Sequence, residues 1–451
     1  MQTFTEMQRI KMYDICFIGG GLNYAGAVVA AKAGMSVALI DRNLNLLGGT
    51  CLHRGCIPSK MFLHYGYLGY ATKATSIFSR EDLLDMSQLQ LEKRRLIESS
   101  NKAIVRQCKD ITLIEGDAKV TAPHEISVVN EKIEAAYVVI GTGSKPFIPD
   151  GITYDGKHII TSDEVMMMSS LPQSIAIYGN GAIGLEMASF FAACGVKTTL
   201  IYLFEELFEK AHPSISSSMQ KQLKSLGVIL MPNSKIIKAK SSDEGALITL
   251  EDGSSLVAEK LLVATGRHAN TDVVACSQIK LNEHGIETDE MFETTAPDHF
   301  AIGDCNGKIQ LAHAARAEVL NVVNRLLNRK PSILNLDYVV KFIHTLPMSY
   351  ASVGLTRSTL EKSDEPFKES VVPLNAFTYS HIHHAKDGIM AVYTDAENFI
   401  VGAEILAPNA EELISTAAMA LTGELSAALA KETILAHPTF SEALERAFFR
   451  L

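Results

Sequence analysis

The chain has 451 residues, 47% hydrophobic and 20% charged, with 41 Lys plus Arg against 51 Asp plus Glu. That is the balance of an ordinary globular protein, long enough for two to four domains. A formal net charge of −10 with no basic run argues against holding nucleic acid through its phosphates and against a polybasic membrane anchor. No window of about 18 apolar residues suggests a spanning helix. No charged-then-apolar leader opens the chain, so a cytoplasmic location is expected.

Met12 stands directly before the first clear strand and is a second candidate for the translation start. Residues 14–18 read as a short apolar strand, Gly19, Gly20 and Gly21 as a turn, 25–32 as an Ala-rich helix capped at Gly34, and 36–40 as a second strand ending at Asp41. Asp41 lies 20 residues beyond Gly21, where a Rossmann unit places an acid for a ribose hydroxyl. The layout returns about 160 residues later. There 174–178 is a strand, Gly179, Gly181 and Gly184 form an unbroken GxGxxG, 185–194 is helical, Gly195 caps it, and 197–201 is the next strand. One such motif is a weak signal; two, each in a strand–helix–strand frame, point to two dinucleotide sites.

Each unit closes with a further signature. Residues 137–145, YVVIGTGSK, carry Thr142 and Gly143 after an apolar strand, and 261–267, LLVATGR, do the same with Gly266. Residues 300–304, FAIGD, place Gly303 and Asp304 at a strand's carboxyl end, where such sheets bind ligands. After Pro331 the texture changes. Strands are expected in 338–352, 371–378, 389–394 and 399–405, then helices over 409–421 and 422–430. Strands followed by helices suggest an α+β domain with an antiparallel sheet.

Five of the seven cysteines (16, 108, 194, 276 and 305) sit singly, mostly in apolar segments, and read as buried thiols. Cys51 and Cys56 differ: they lie close together in GGTCLHRGCIPSK, residues 48–60. Five helical steps of about 100° leave two side chains far out of register, so a disulfide there needs a distorted turn. Gly55 and Pro58 allow one. A zinc site would want two more ligands at similar spacing and none is evident, so no metal is expected and a redox pair is the better reading. Near the C-terminus, AHPTFSE at 436–442 places Glu442 five residues after His437. A turn at Pro438 and Thr439 could fold the carboxylate onto the imidazole, fix its tautomer and make it a competent base for thiol chemistry. His381, His383 and His384 lack a Cys or acid partner at ligand spacing and read as an exposed hairpin or loop.

Together these segments resemble the FAD-dependent pyridine-nucleotide disulfide oxidoreductases, from Tyr13 nearly to the end of the chain. The CIPSK ending and 400–414, IVGAEILAPNAEELI, are most similar to the dihydrolipoamide-oxidising branch. The fold expected is α/β: two Rossmann-like dinucleotide-binding domains, for FAD and NAD, plus a C-terminal α+β dimerisation domain with an antiparallel sheet. The boundaries expected are 1–146 and 267–335 for the FAD and central domain, 147–266 for the NAD(P) domain and 336–451 for the dimerisation domain.

The resemblance also implies roles. Cys51 would be the interchange thiol and Cys56 the charge-transfer thiol. Lys60 would sit near the flavin, paired with Glu186. Gly19, Gly21, Asp41, Gly49, Thr50, Thr142, Gly143, Gly303 and Asp304 would bind FAD. Leu311, Ala312 and His313 would open a helix facing the flavin. Gly179, Gly181, Gly184, Tyr202 and Gly266 would bind the nicotinamide dinucleotide. His437, held by Glu442, would be the acid–base, contributed across a homodimer. The substrate would be a small dithiol or a lipoyl domain, for instance within a 2-oxoacid dehydrogenase complex.

Two residues depart from the pattern. Tyr24 stands where the first fingerprint wants Gly or Ala, which requires a shifted helix with Ala25 or Gly26 in the close contact. Tyr202 stands where an acid would select NAD, or arginines NADP; with no cation for a 2′-phosphate, NAD is expected and NADP stays open. Two other readings are a reductase of another disulfide, like glutathione or mercuric reductase, and a non-catalytic flavin-binding subunit.

Overall fold

Short apolar strands ending in glycine turns organise both halves of the computed structural model, which describes residues 11–73, 84–129, 131–329 and 333–451. The chain forms two compact units. One comprises Met1–Pro58, Leu91–Pro146 and Arg267–Leu336, the other Ser59–Gln90, Phe147–Gly266 and Asp337–Leu451.

In the first unit, Lys11–Ile18 is buried from Ile15 onward and lies inside a seven-stranded sheet. Val37–Asp41 and then Thr112–Glu115 run parallel on one side, and Glu131–Ile140 runs parallel on the other. Glu131–Ile140 carries His299–Ala301 in parallel along its last residues, and antiparallel Glu125–Val128 along its first. Met12 therefore lies inside the first strand, not before it. Strand order reverses around Lys11–Ile18, so a ligand crevice belongs beyond Ile18 and Ile140. The helices Asn23–Lys32 and Ala312–Leu326 cover one face, packing Ala27, Val319 and Val323 on Phe17 and Leu39.

The second unit contains a parallel sheet in the order Ile229–Met231, Lys197–Ile201, Ser174–Tyr178, Lys260–Val263, Ile159–Ile160. It also contains a five-stranded antiparallel sheet in the order Lys341–Ile343, Ser349–Gly354, Ile400–Ala407, Ile389–Thr394, Lys368–Pro373. The expected strand over 338–352 is two strands joined by a turn. The strand expected at 371–378 ends at Pro373, which has no N–H to continue a ladder, and Thr378–Ile382 is helical. His381 thus lies in a short helix, and His383 and His384 follow in an exposed turn, a helix end and loop rather than a hairpin. The helix expected at 422–430 shrinks to Ala427–Ala430, because the preceding helix stops at Thr422 and Glu424 takes φ +49°.

The two glycine turns are not copies. The helix of the second unit begins at Ala182, three residues past Gly179; that of the first begins at Asn23, four past Gly19. A Cβ on Gly184 would stand 1.9 Å from the Gly179 carbonyl oxygen, so only glycine fits there. In the first unit Asn23, fully buried, faces the strand and donates from Nδ2 to the Ile18 carbonyl at 3.1 Å. Tyr24 swings aside and packs half-buried against the apolar layer. The close helix contact falls on Gly26, where a Cβ would meet Val319 Cγ2 at 2.5 Å.

Candidate active site

In the first unit the cysteine motif breaks into two helices. Cys51 lies in Gly49–His53, the chain kinks at Arg54 and Gly55, and Cys56 is the first residue of Cys56–Lys73. A Cβ on Gly55 would stand 2.9 Å from the Thr50 carbonyl oxygen, so the residue type permits the tight kink. Both sulfurs are free thiols here, Cys51 half-buried and Cys56 exposed. The hydrogen bond to Cys56, and then burial, push the Cys51 thiol far above its ordinary range. Cys56 heads an 18-residue helix, whose free N–H groups favour a thiolate. Three of the other thiols are buried and held protonated: burial pushes Cys16 up to about 12 and Cys108 and Cys305 to about 11.

Beside the thiols the same unit offers a nucleotide groove. A Cβ on Gly49 would touch Gly21 Cα at 2.8 Å, so the thiol helix starts against the first glycine turn. Asp41 accepts from the Gly20 N–H at 2.6 Å and, through its other oxygen, from the Asn43 N–H at 3.0 Å. It borders a cavity of about 100 Å³ together with Gly19, Gly116, Thr142, Asn270 and Asp272. Thr142 and Asn270 are locked reciprocally, Thr142 Oγ1 donating to the Asn270 carbonyl at 2.6 Å and Asn270 Nδ2 to the Thr142 carbonyl at 3.0 Å. Asp304 accepts from Ser144 Oγ at 2.5 Å, and Ser144 Oγ accepts from Arg267 Nε at 2.7 Å. Gly303 N–H donates to Glu318 at 2.7 Å; burial raises that carboxyl above its ordinary range. Asn270 and Glu318 carry no motif that would single them out in the sequence; Ser144 and Arg267 lie in the two Thr-Gly signatures, but nothing in the sequence pairs them.

These residues fit FAD. The helices Asn23–Lys32 and Ala312–Leu326 have no acid in their first turns and no side-chain cap at Leu22 or Leu311. Their N–H groups are left for an anion. Space within 4 Å of the Cβ direction is open at Gly21 and Gly143. His313 lies in the first turn of the second of these helices.

The second unit offers a similar cradle at Ala182–Ala193, with no first-turn acid and open space beside Gly181 and Gly266. Tyr202 is different from the expectation. It is fully buried, with its ring in the apolar core, so its side chain is no ribose ligand. What the strand end exposes is Leu203, Phe204, Glu205 and Glu206, with Glu205 accepting from Asn233 Nδ2. Further along the same helix, buried Glu186 accepts from Lys60 Nζ at 2.5 Å.

At the C-terminal end of this unit, His437 Nδ1 lies 2.8 Å from Glu442 Oε2, while Glu442 Oε1 accepts from the Thr439 N–H at 3.0 Å. Burial works against the Glu442 charge, but the bonds from His437 and Thr439 and nearby Arg446 outweigh it and hold the carboxyl below its ordinary range. The imidazole is 79% exposed, so Nε2 is open to approach. Phe440 of this turn stacks on Tyr379 and His383, with ring centroids at 4.9 and 5.3 Å.

A paired cysteine motif beside one nucleotide cradle, with a second cradle and an exposed His–Glu pair, agrees with the comparisons with known proteins. The family model described as pyridine nucleotide-disulphide oxidoreductase matches residues 13–318, and that family's dimerisation domain matches 340–448. The chain belongs to this family. Dihydrolipoyl dehydrogenase of Bacillus subtilis is 30% identical over 96% of this chain and 97% of its own length. Leghemoglobin reductase of Glycine max is 29% identical over 96% of this chain and 86% of its own. Among solved structures, the HOCl-induced flavoprotein disulfide reductase RclA from Escherichia coli superposes with a TM-score of 0.87 at 24% identity, covering 97% of this chain and 99% of that one. LpdA from Mycobacterium tuberculosis does so with 0.89 at 22%, covering 98% and 99%. The cofactors of the family are FAD and NAD(P), and its dimerisation domain supports a homodimer. No helix among the described residues is long and apolar enough to cross a membrane.

Proposed function

We propose that this flavoprotein disulfide oxidoreductase oxidises a dithiol, dihydrolipoamide or a dihydrolipoyl domain, with NAD through a Cys51–Cys56 redox pair. The observation that carries this reading is the placement of the two sulfurs: Cys51 lies in the short helix before the Gly55 kink and bonds to Cys56, the first residue of the helix after it. The 30% identity to a dihydrolipoyl dehydrogenase along 96% of the chain supports the choice of substrate. A 2-oxoacid dehydrogenase complex is the proposed setting.

In the reaction one substrate thiol gives its proton to His437, and the thiolate attacks Cys51 of the disulfide, releasing Cys56 as thiolate. His437 then hands that proton to the departing Cys51 sulfur and takes the proton of the second substrate thiol, whose sulfur closes the substrate disulfide; Cys51 is left as thiol, Cys56 as thiolate and His437 protonated. Cys51 leaves with its thiol far above the ordinary range, so it must take up the proton, and His437 is the group to deliver it. Glu442 orients that imidazole. FAD, held by Gly19, Gly21, Asp41, Thr142 and Asp304, and a nicotinamide dinucleotide, held at Gly179 to Gly184, supply two-electron hydride chemistry when bound. Lys60 and Glu186 are assigned to the flavin–nicotinamide junction. Residues 1–146 with 267–335 serve as the FAD domain, 147–266 as the nicotinamide domain and 336–451 as the interface in this reading.

A second reading runs the machinery as a reductase. It is favoured by the 29% identity, along 96% of this chain, to a protein named leghemoglobin reductase. The deciding experiment assays the FAD-loaded enzyme with dihydrolipoamide and NAD or NADP, and with glutathione disulfide and NADH or NADPH. The dihydrolipoamide–NAD pair should lead by at least about tenfold in kcat/KM, a transition-state difference of about 1.4 kcal/mol. Faster reduction of glutathione disulfide would reject the proposal in favour of the reductase.

A further inference from the structure

Glu186 Oε1 carries two donors. Lys60 Nζ reaches it at 2.5 Å, and the main-chain N–H of His344 at 2.9 Å. Two residues earlier, the Phe342 ring lies 5.2 Å from Lys60 Nζ. Residues 342 to 344 thus touch both members of the Lys60–Glu186 pair, although nothing in the motif sequence connects them to it. The end of this strand is also fixed from the far side. His344 Nδ1 lies 3.2 Å from Glu411 Oε1, and Glu411 Oε2 accepts from Ser349 Oγ at 2.5 Å. Burial opposes the Glu411 charge, but the bonds from His344 and Ser349 outweigh it and bring the carboxyl down to about 2. At neutral pH the anchor is therefore an ionised carboxylate in the first turn of the Ala410–Thr422 helix.

We propose that His344 is a positioning residue for the Lys60–Glu186 pair: its imidazole, tied to Glu411, fixes the main-chain N–H that holds Glu186 Oε1, and so fixes the Lys60 ammonium. This rests on the reading that Lys60 and Glu186 act at the flavin–nicotinamide junction. The physical reason is geometric. One donor leaves a carboxylate free to rotate about its last torsion, whereas two donors on one oxygen define where that oxygen sits. Charge placed beside a transferring group loses its effect when it moves by about 1 Å.

The test uses the FAD-loaded enzyme and four variants. His344→Ala keeps the N–H but removes the anchor. His344→Asn keeps a side-chain donor at the place of Nδ1. Glu411→Gln weakens the anchor from the other side and serves if the alanine variant folds poorly. Glu186→Gln tests the pair itself. Two quantities are read: flavin reduction by NADH in stopped flow, and the labelling rate of Lys60 by an amine-reactive reagent relative to exposed Lys238, followed by mass spectrometry. His344→Ala should slow flavin reduction about tenfold, the effect of one misplaced charge-assisted contact, and raise Lys60 labelling severalfold. Glu411→Gln should move both quantities in the same directions by less. His344→Asn should restore both to within about twofold of wild type. A loosened fold would not be rescued by asparagine, so failure of that rescue overturns the proposal, as does wild-type behaviour of both His344→Ala and Glu411→Gln. If Glu186→Gln itself leaves both quantities unchanged, the role of the Lys60–Glu186 pair fails, and the proposal falls with it. If Glu186→Gln alters them and His344→Ala does not, only the positioning role is lost.

Discussion

In the reduced pair Cys51 bonds to Cys56, and its thiol is held above the ordinary range, so the two sulfurs are unequal once reduced. If they form the redox pair, Cys51→Ser and Cys56→Ser should each lower dithiol–NAD exchange by at least about a thousandfold, the scale on which loss of a covalent nucleophile acts. Flavin absorbance should be retained in both variants. Substantial dithiol turnover in either one would reject the pair. Glu411 gives a second residue-scale expectation, this time for stability. Its carboxyl lies near 2 in the folded protein, below the 4.5 of a free glutamate. A depressed carboxylate stabilises the fold fully above its unfolded value, and that stability disappears as pH falls from about 5 through about 2. The contribution is at most of order 3 kcal/mol, since each tenfold change in proton affinity between the unfolded and folded states is worth about 1.4 kcal/mol. Urea unfolding should therefore find Glu411→Gln less stable than wild type at pH 7, with the gap closing toward pH 3. A gap that stays constant across this range would mean that Glu411 stabilises by shape rather than by charge. Some pairs of this kind are legible in sequence and some are not. His437 and Glu442 are five residues apart across a proline turn, so their contact can be read from the spacing. His344 and Glu411 are 67 residues apart, and Ser144 and Arg267 are 123 apart, with no motif linking them.

At the scale of elements, periodicity and glycine placement foretell the strands Ser174–Tyr178, Lys197–Ile201 and Ile389–Thr394 to the residue. Each is an apolar run closed by a turn or by the end of the sheet, and each is buried along most of its length. What the pattern does not carry is the direction of a side chain at a strand end. Tyr202 lies two residues after Leu200, on the same face of the chain, and joins the same core, where its hydrophobic ring outweighs its hydroxyl. Tyr24 shows a related limit. The fingerprint wants glycine or alanine at this position, but the ring packs half-buried against the apolar layer and the close helix contact falls on Gly26. This sets the outcome expected of Tyr24→Gly. With no crowding to relieve, the substitution removes half-buried aromatic packing and puts glycine in the helix, at a cost of about 1 kcal/mol from propensity alone. Thermal unfolding should shift downward, and FAD release on dilution should be no slower than in wild type. Slower release would show that the ring does strain the cradle.

At the scale of the whole molecule, family and fold class are legible because two Rossmann fingerprints, the cysteine motif and the C-terminal His–Glu motif occur in one chain in a fixed order. How subunits share the chemistry is a matter for a proposal and a test. His437 is 79% exposed and lies within residues 340–448, the span matched by the family's dimerisation domain. An exposed base on an interface domain is placed to serve a neighbour, and in a two-fold homodimer each site would then combine Cys51 and Cys56 with the partner subunit's His437. Cys51→Ser and His437→Gln should each be nearly inactive alone. Unfolded and refolded together with FAD, they should form mixed dimers as about half of the population if pairing is random. Each mixed dimer has one site with both lesions and one with neither, so activity should return to about a quarter of wild type. Differently tagged chains, recovered by two successive affinity steps, establish that mixed dimers formed. With mixing established, activity that stays at the level of the single variants would place the base within its own chain, or remove His437 from the reaction. Recovery near one quarter has no such alternative, because neither parent chain can assemble a complete site by itself.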